Sequence, residues 1–245
     1  MQVLSTILYQ VPMAKISRKA GQNIRELALK RRLKAISSFG TAGLVLLIPF
    51  FVSWALATLV KPMSSLNPSQ LQSSSSLPVS FHLLFLLIAV GLVMNGIFWW
   101  KRSERADRGA KGEEETAQEM VKLEREGWQI EYGMRLGNRL GDADIVCISP
   151  QNKSYVIDVK SHKGEVITDG KQLYRQMGKN TYPFEKDFLH VTMKQALQVK
   201  KQKGLDFVTP IIAFSDAKVL VSNGKLQKVY VVEKSRLVAL LRSLG

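Results

Sequence analysis

Two apolar runs decide the fold of this chain, Gly141-Asp-Ala-Asp-Ile-Val-Cys-Ile-Ser-Pro150 and Ser154-Tyr-Val-Ile-Asp-Val-Lys-Ser161. An acid opens the first run at Asp144, and Asp158 and Lys160 close the second. Because alternate side chains of a strand face the same way, Asp158 and Lys160 share one face. If the turn centres midway between the two acids, they face each other across an antiparallel hairpin. The pattern therefore predicts two carboxylates and one ammonium at one spot, which suits a divalent metal and an attacking water.

The charge of the chain is high and unevenly spread. The 245 residues carry a net charge of +15, of which residues 1–38 contribute +7, residues 39–100 contribute +1 and residues 101–245 contribute +7. A basic chain fits a polyanionic partner, although many basic domains bind none. The single cysteine, Cys147, excludes an intrachain disulfide and reads as a core thiol. The three histidines are scattered, so the sequence gives no support to a zinc site: His82, His162 and His190.

Two long uncharged runs, residues 35–60 and 77–100, are predicted to be transmembrane helices. Each exceeds the roughly 20 apolar residues that cross a bilayer. Neither shows the polar stripe of a helix in a soluble core, which disfavours that alternative. Neither span contains a charged residue, so the sequence gives no support to transport or a proton relay. A membrane scaffold, in which the two helices carry the function, remains as a further function class.

The flanks of these runs predict the orientation. Four basic residues precede the first span, and four follow the second: Lys30, Arg31, Arg32 and Lys34, and then Lys101, Arg102, Arg105 and Arg108. The Ser-rich loop 61–76 carries one charge, Lys61. By the positive-inside rule both termini are cytoplasmic and the loop is external. The expected location is the membrane, with a bacterial inner membrane fitting best. The basic N-terminal arm 1–34 either lies on anionic lipid or is simply solvated, and the sequence leaves both readings open.

The remaining residues predict a soluble α/β domain. Its expected elements are a helix over 113–126 that Gly127 ends, the hairpin, a strand, turn and strand start over 165–174, a helix over 187–203, strands over 208–214, 218–221 and 229–232, and a helix over 234–244. This order predicts a mixed central sheet flanked by helices.

The first of these helices supplies a third acid. Three consecutive glutamates point about 100° apart, and only Glu113 lies in line with Ala117, Met120 and Val121. Glu113 is therefore expected to turn toward the sheet. A carboxylate at a helix start also has a simpler explanation, since it favours the helix dipole.

These residues together resemble a known family. The order Glu113, Asp144, Asp158-x-Lys160 resembles the PD-(D/E)xK nuclease superfamily, and the segments around it resemble its nuclease-related domain, NERD, over residues 108–241. The resemblance implies a restriction-endonuclease-like sheet, here preceded by two transmembrane helices. Two positions depart from the usual pattern, because Ala143 stands where the superfamily often has Pro, and Asp158 stands where this domain more often has Glu. Asp142, on the same face as Asp144, competes for its role.

The resemblance also implies a mechanism. It assigns Mg²⁺ to Asp144 and Asp158, with the Val159 carbonyl and with Glu113 as a further ligand or part of a second site. Lys160 would orient the attacking water or stabilise the developing charge. The family's helical glutamine maps to Gln195, at the edge of the apolar face of its helix, with surface solvation as the alternative.

Two function classes follow from the sequence. The first is a membrane-anchored enzyme that hydrolyses phosphodiesters with Mg²⁺, with DNA rather than RNA as the expected substrate. The second is an inactive nuclease-fold module that binds nucleic acid or a protein at the membrane. A simpler reading of the site pairs Asp144 with Lys160 across the strands and uses Asp158 to cap a turn.

Overall fold

The computed structural model describes residues 19–60, 77–137 and 140–245, which divide into two compact units. One unit is Asn23–Arg108, and the other is Gly109–Gly245 together with the segment that ends at Gln22. The predicted external loop 61–76 and the first part of the predicted basic arm, residues 1–18, lie outside the described residues.

The first unit consists of long apolar helices. Helix α1 (Gln22–Val60) and helix α2 (Val79–Glu124) contain windows with mean hydropathy of 2.1 and 2.3, and only 11% of each window is buried. By length and composition both helices could span a membrane. Helix α1 begins well before the predicted span, so the basic residues from Arg25 to Lys34 are helical.

Helix α2 corrects one expectation. The sequence predicted a separate helix over 113–126, whereas the structure has one continuous helix from Val79 to Glu124. The connecting residues 101–112 are mostly Lys, Arg, Glu and Ala, which are good helix formers, and no proline interrupts them. Gly127 follows the helix with φ of +87°, in agreement with its predicted role as the stop.

The second unit is a mixed sheet. Its strands are β1 (Gln129–Arg135), β2 (Asp142–Ile148), β3 (Ser154–Thr168), β4 (Leu173–Met177), β5 (Asn180–Pro183), β6 (Val208–Val219), β7 (Lys225–Leu226) and β8 (Val229–Glu233). The main order is β1-β2-β3-β6-β8-β7, and β4 and β5 extend from β3. The β3–β6 and β6–β8 pairs are parallel and the others are antiparallel. The predicted mixed α/β class is confirmed.

Five strands differ from the expectation. β1, β5 and β7 were not predicted. β3 joins the second strand of the hairpin to the strand expected from residue 165, and β6 joins the two strands expected over 208–214 and 218–221. The polar residues Ser215 and Asp216 lie between the two expected strands, but Asp216 continues the ladder opposite Lys163, just after an irregularity in β3.

Helices cover both faces of the sheet. Helix α2 and helix α4 (Lys234–Leu244) pack on the face that carries Ile145, Tyr155 and Ile211. Helix α3 (Phe188–Lys203) packs on the opposite face, against residues such as Val146 and Val156. The apolar side chains of adjacent positions therefore alternate between two cores, as expected of strands buried on both faces.

Candidate active site

The β2–β3 hairpin has the register that the sequence predicts. The last pair of the ladder is Ile145 with Ile157, so Asp144 and Asp158 are the next facing residues. Val146 and Val156, each two positions from one of the acids, pack with α3. Because side chains alternate along a strand, both acids and Lys160 lie on that same face of the sheet. The structure thus meets the requirement that the two acids lie on one side of the sheet.

Asp144 lies where β2 and β3 part. Its Oδ2 accepts a hydrogen bond of 2.7 Å from the backbone N–H of Val159, so the side chain bridges the opening between the strands. The N–H and C=O of one strand residue point to the same side, which places the Val159 carbonyl toward this opening as well. The expected metal-ligand role of that carbonyl remains a prediction.

Asp158 is the most buried acid of the site, with a relative exposure of 3%. Its carboxylate forms an ion pair of 2.7 Å with the Lys160 ammonium. The Thr192 hydroxyl of α3 lies 3.4 Å from Asp158 Oδ2. Asp158 sits within β3 and does not cap a turn. The simpler reading is therefore wrong in both parts, because the ion pair joins Lys160 to Asp158 and not to Asp144.

Glu113 is buried at 9% exposure, whereas Glu114 and Glu115 are half-buried. Glu113 is thus the glutamate that turns inward, as expected, but part of the rationale for that expectation is wrong. Val121, which was expected on the same face, is 38% exposed. The buried face of α2 runs through Gly112, Glu113, Thr116, Met120 and Leu123, and the polar Thr116 concealed it from a hydropathy pattern.

Two glycines bring Glu113 to the sheet. A Cβ on Gly112 would lie 2.7 Å from Ser215 Oγ and 3.1 Å from Ser161 Cβ, so only glycine allows α2 to approach the strands this closely. Gly21, with φ of +73°, donates its backbone N–H to Glu113 Oε2 at 3.1 Å. The segment that precedes α1 therefore contributes a hydrogen bond to the site.

The charges of the site perturb one another. Burial raises the pKa of Glu113 to about 7, with Asp158 and Asp142 adding to the rise, although the Gly21 N–H and Lys160 oppose it. Burial and then the charges of Asp158 and Glu113 hold the pKa of Asp144 well above its usual range. Burial lowers the pKa of Lys160, but the surrounding carboxylates outweigh it and the net shift is upward. Charges act on one another's pKa values in this way only when they lie near one another.

Gln195 lies on the buried face of α3 and contacts the backbone of β2. It is 4% exposed, so the alternative of surface solvation is wrong. Its Nε2 donates a long hydrogen bond of 3.4 Å to the backbone carbonyl of Asp142, and its buried Oε1 has no hydrogen-bond partner in the described structure. A buried amide oxygen without a partner is costly, and a ligand or water that donates to it would remove that cost.

The donor set has the chemistry of a hard divalent cation. When ionised, Glu113, Asp144 and Asp158 would set three negative charges against the single ammonium of Lys160, and Mg²⁺ would balance the excess. Within residues 19–60, 77–137 and 140–245 no group of three or more His, Cys, Asp or Glu side chains is already arranged to hold a metal. The residues thus fit the ion in type and charge, whereas their present arrangement does not form a set of three ligands.

Two residues that contact the site were missed in the sequence, Thr192 and Gly21. Thr192 and Gln195 both lie on the buried face of α3, whereas Leu197, which a hydropathy pattern places inward, is 59% exposed. Counting Thr192 and Gln195 as inward, at a spacing of three residues, would have given the correct phase. Gly21 offers no such signal, since 92 residues separate it from Glu113.

Comparison with known families gives a match over part of the chain. Residues 108–215 match the family model of NERD, the nuclease-related domain. The matched region includes Glu113, Asp144, Asp158, Lys160 and Gln195. No curated protein and no solved structure matches the chain significantly.

Proposed function

We propose, from the match of residues 108–215 to the nuclease-related domain, that the chain is a membrane-anchored nuclease that hydrolyses DNA phosphodiesters with Mg²⁺. The observation that carries the proposal is the convergence of three acids and one lysine at the opening between β2 and β3. Such a group of carboxylates with a lysine is the site of the PD-(D/E)xK nucleases that the chain resembles.

The proposed ligands of Mg²⁺ are Asp144, Asp158 and the Val159 carbonyl, with Glu113 reaching the ion through a water molecule. When bound, Mg²⁺ lowers the pKa of a water molecule and offsets the negative charge of the phosphate. The buried carboxylates, which repel one another in its absence, would hold it through hard oxygen ligands.

The directions of the pKa shifts assign different roles to Lys160 and Glu113. The raised pKa of Lys160 keeps it protonated near neutral pH, so it acts as a cation that stabilises negative charge on the phosphate and not as a base. Glu113, with a pKa of about 7, is the group whose pKa suits proton transfer from water. Gln195 would use its unpartnered Oε1 to accept a hydrogen bond from the attacking water or the substrate.

The proposed location is the membrane, through α1 and α2. The apolar windows of both helices are largely exposed, and the basic residues flank one end of each apolar run. By the positive-inside rule the nuclease-related domain would face the cytoplasm, and a bacterial inner membrane would fit this arrangement.

The test uses the full chain in detergent micelles with end-labelled DNA and RNA of one sequence. Cleavage of DNA with Mg²⁺, and none with excess EDTA, is the expected result. Asp158→Asn should reduce cleavage by at least 100-fold, roughly the effect of losing one charge-stabilising group. Asp206→Asn, which changes an exposed acid in the same way, is the matched control. Cleavage that survives Asp158→Asn together with Lys160→Met would refute the assignment.

One observation favours the second candidate, a non-catalytic binding module. Lys160 and the Gly21 N–H already hold Asp158 and Glu113 without a metal. This candidate predicts salt-dependent DNA binding that needs no Mg²⁺ and that Asp158→Asn leaves unchanged. The same variants therefore separate the two functions in a binding assay.

A further inference from the structure

The unit Asn23–Arg108 concentrates its charge at one end of its two helices. Residues 23–34 of α1 carry five Lys or Arg and one Glu, and residues 101–108 of α2 carry four Lys or Arg, one Glu and one Asp. Residues 35–60 and 79–100 carry no Lys, Arg, Asp or Glu. Nine positive charges against three negative ones thus adjoin two long uncharged stretches.

Aromatic rings gather part of this charge. Lys34 Nζ lies 4.7 Å from the centroid of the Trp99 ring, and Arg102 Cζ lies 5.8 Å from the same ring. Arg32 Cζ lies 5.8 Å from the Trp100 ring. The ring faces attract cations, so one indole holds two positive groups that come from different helices.

The nearby acidic residues neutralise little of this positive charge. Asp107 forms an ion pair of 2.5 Å with Arg32, and Glu104 accepts a hydrogen bond of 3.0 Å from Trp100 Nε1. Among the described residues, Lys34 and Arg102 form no ion pair. Two cations on one ring repel each other, and an anion between them would relieve that repulsion.

The surface next to these cations indicates which kind of anion would bind them. Side chains of the uncharged stretches are widely exposed, for example Phe51 at 68% and Leu87 at 70%. A molecule that covers both regions needs an anionic group attached to a long apolar part. A phospholipid has this structure, whereas a nucleic acid offers phosphate without the apolar part.

We propose that Lys34, Arg102 and Trp99 form a headgroup site for an anionic phospholipid, with the lipid phosphate between the two cations. The inference rests on the proposed membrane insertion of α1 and α2, but not on nuclease activity. The indole ring would hold the cations at the depth of the headgroups, where interfacial Trp residues belong.

The experiment uses the full chain in nanodiscs of phosphatidylcholine with brominated phosphatidylglycerol, whose bromine atoms quench nearby Trp fluorescence. The Trp54→Phe and Trp128→Phe background leaves Trp99 and Trp100 as reporters. We expect brominated phosphatidylglycerol to quench them more than brominated phosphatidylcholine does at equal mole fraction. Inorganic phosphate at millimolar concentration should leave the difference unchanged.

The matched variants distinguish a specific lipid-binding site from general electrostatic attraction. Lys34→Gln with Arg102→Gln should weaken the lipid preference roughly tenfold or more. Lys101→Gln with Arg105→Gln removes the same charge from the same end but takes no cation from a ring, and it should weaken the preference far less. Equal losses in both variants would overturn the site in favour of a diffuse basic surface.

Two further outcomes also overturn it. One is equal quenching by the two lipids. The other is a DNA duplex that abolishes the lipid preference, which would assign the cations to nucleic acid. A chain that keeps only Trp54, in the uncharged stretch of α1, reports insertion separately. Absence of Trp54 quenching would refute the membrane anchor and the lipid site together, while leaving the nuclease assignment to its own assay.

Discussion

Replacing Glu113 by Gln should stabilise the protein in the absence of metal, although it removes a candidate catalytic group. Burial raises the pKa of Glu113 from 4.5 to about 7, so the folded state retains a proton that the unfolded chain has already released between these pH values. Stability therefore falls as pH rises from about 4.5 to 7. At pH 8 the ionised side chain costs roughly 3 kcal/mol, at about 1.4 kcal/mol for each pH unit between the two pKa values.

The glutamine variant avoids this cost because it stays neutral. The expected gain is roughly 3 kcal/mol at pH 8 and close to zero at pH 4.5, which corresponds to a rise in melting temperature of roughly 6–12 °C at pH 8. Thermal unfolding of the full chain in detergent with EDTA, followed by near-UV circular dichroism at both pH values, measures it. Adding Mg²⁺ should stabilise the wild type more than the variant, since the ion would favour the ionised carboxylates.

The neighbouring glutamate provides the control. A hydrogen bond from Lys234 lowers the pKa of Glu115, so its contribution to stability is present above pH 4.5 and is lost at lower pH. Glu115→Gln should therefore lower the melting temperature slightly at pH 8. A Glu113→Gln variant that is no more stable than the wild type at pH 8, or equally shifted at both pH values, would refute the reasoning.

Three other substitutions test the site. Lys160→Met should abolish cleavage and cost roughly 3–5 kcal/mol in chemical denaturation at neutral pH, because it leaves Asp158 buried without its ion-pair partner; an unchanged midpoint would contradict this. Gln195→Leu should leave the melting temperature unchanged or higher, since its Oε1 has no partner, while cleavage falls at least tenfold. Gly112→Ala should destabilise by roughly 1–3 kcal/mol, and adding Ser215→Gly should recover part of that loss by removing the nearest atoms.

The hairpin was predictable because strand geometry has a fixed period. Equal spacing of Asp144 and Asp158 from the turn gave the correct register, and alternation gave the correct face for Lys160. Helix α4 was predicted over the observed residues for a related reason, since its apolar face is clear from the sequence.

The helix phases were harder to predict because polar residues occupy buried positions. Thr116 and Thr192 satisfy their hydroxyls by donating to the carbonyls four residues earlier, at 2.7 Å and 2.8 Å. Gln195 is buried with one amide oxygen unsatisfied. A hydropathy pattern places all three on the water-facing side, and this shifted the expected inward faces of α2 and α3. Residues that face a polar site are those for which such a pattern fails.

The hydrogen bond from Gly21 to Glu113 has a consequence for how the domain is produced for experiments. The family match begins at residue 108, and a soluble fragment cut there would lack the donor. Because this N–H lowers the pKa of Glu113, the fragment would hold its glutamate protonated to a higher pH than the whole chain does. The pH dependence measured on the fragment would then differ from that of the whole chain, so the boundary of the family match is not the boundary of the site.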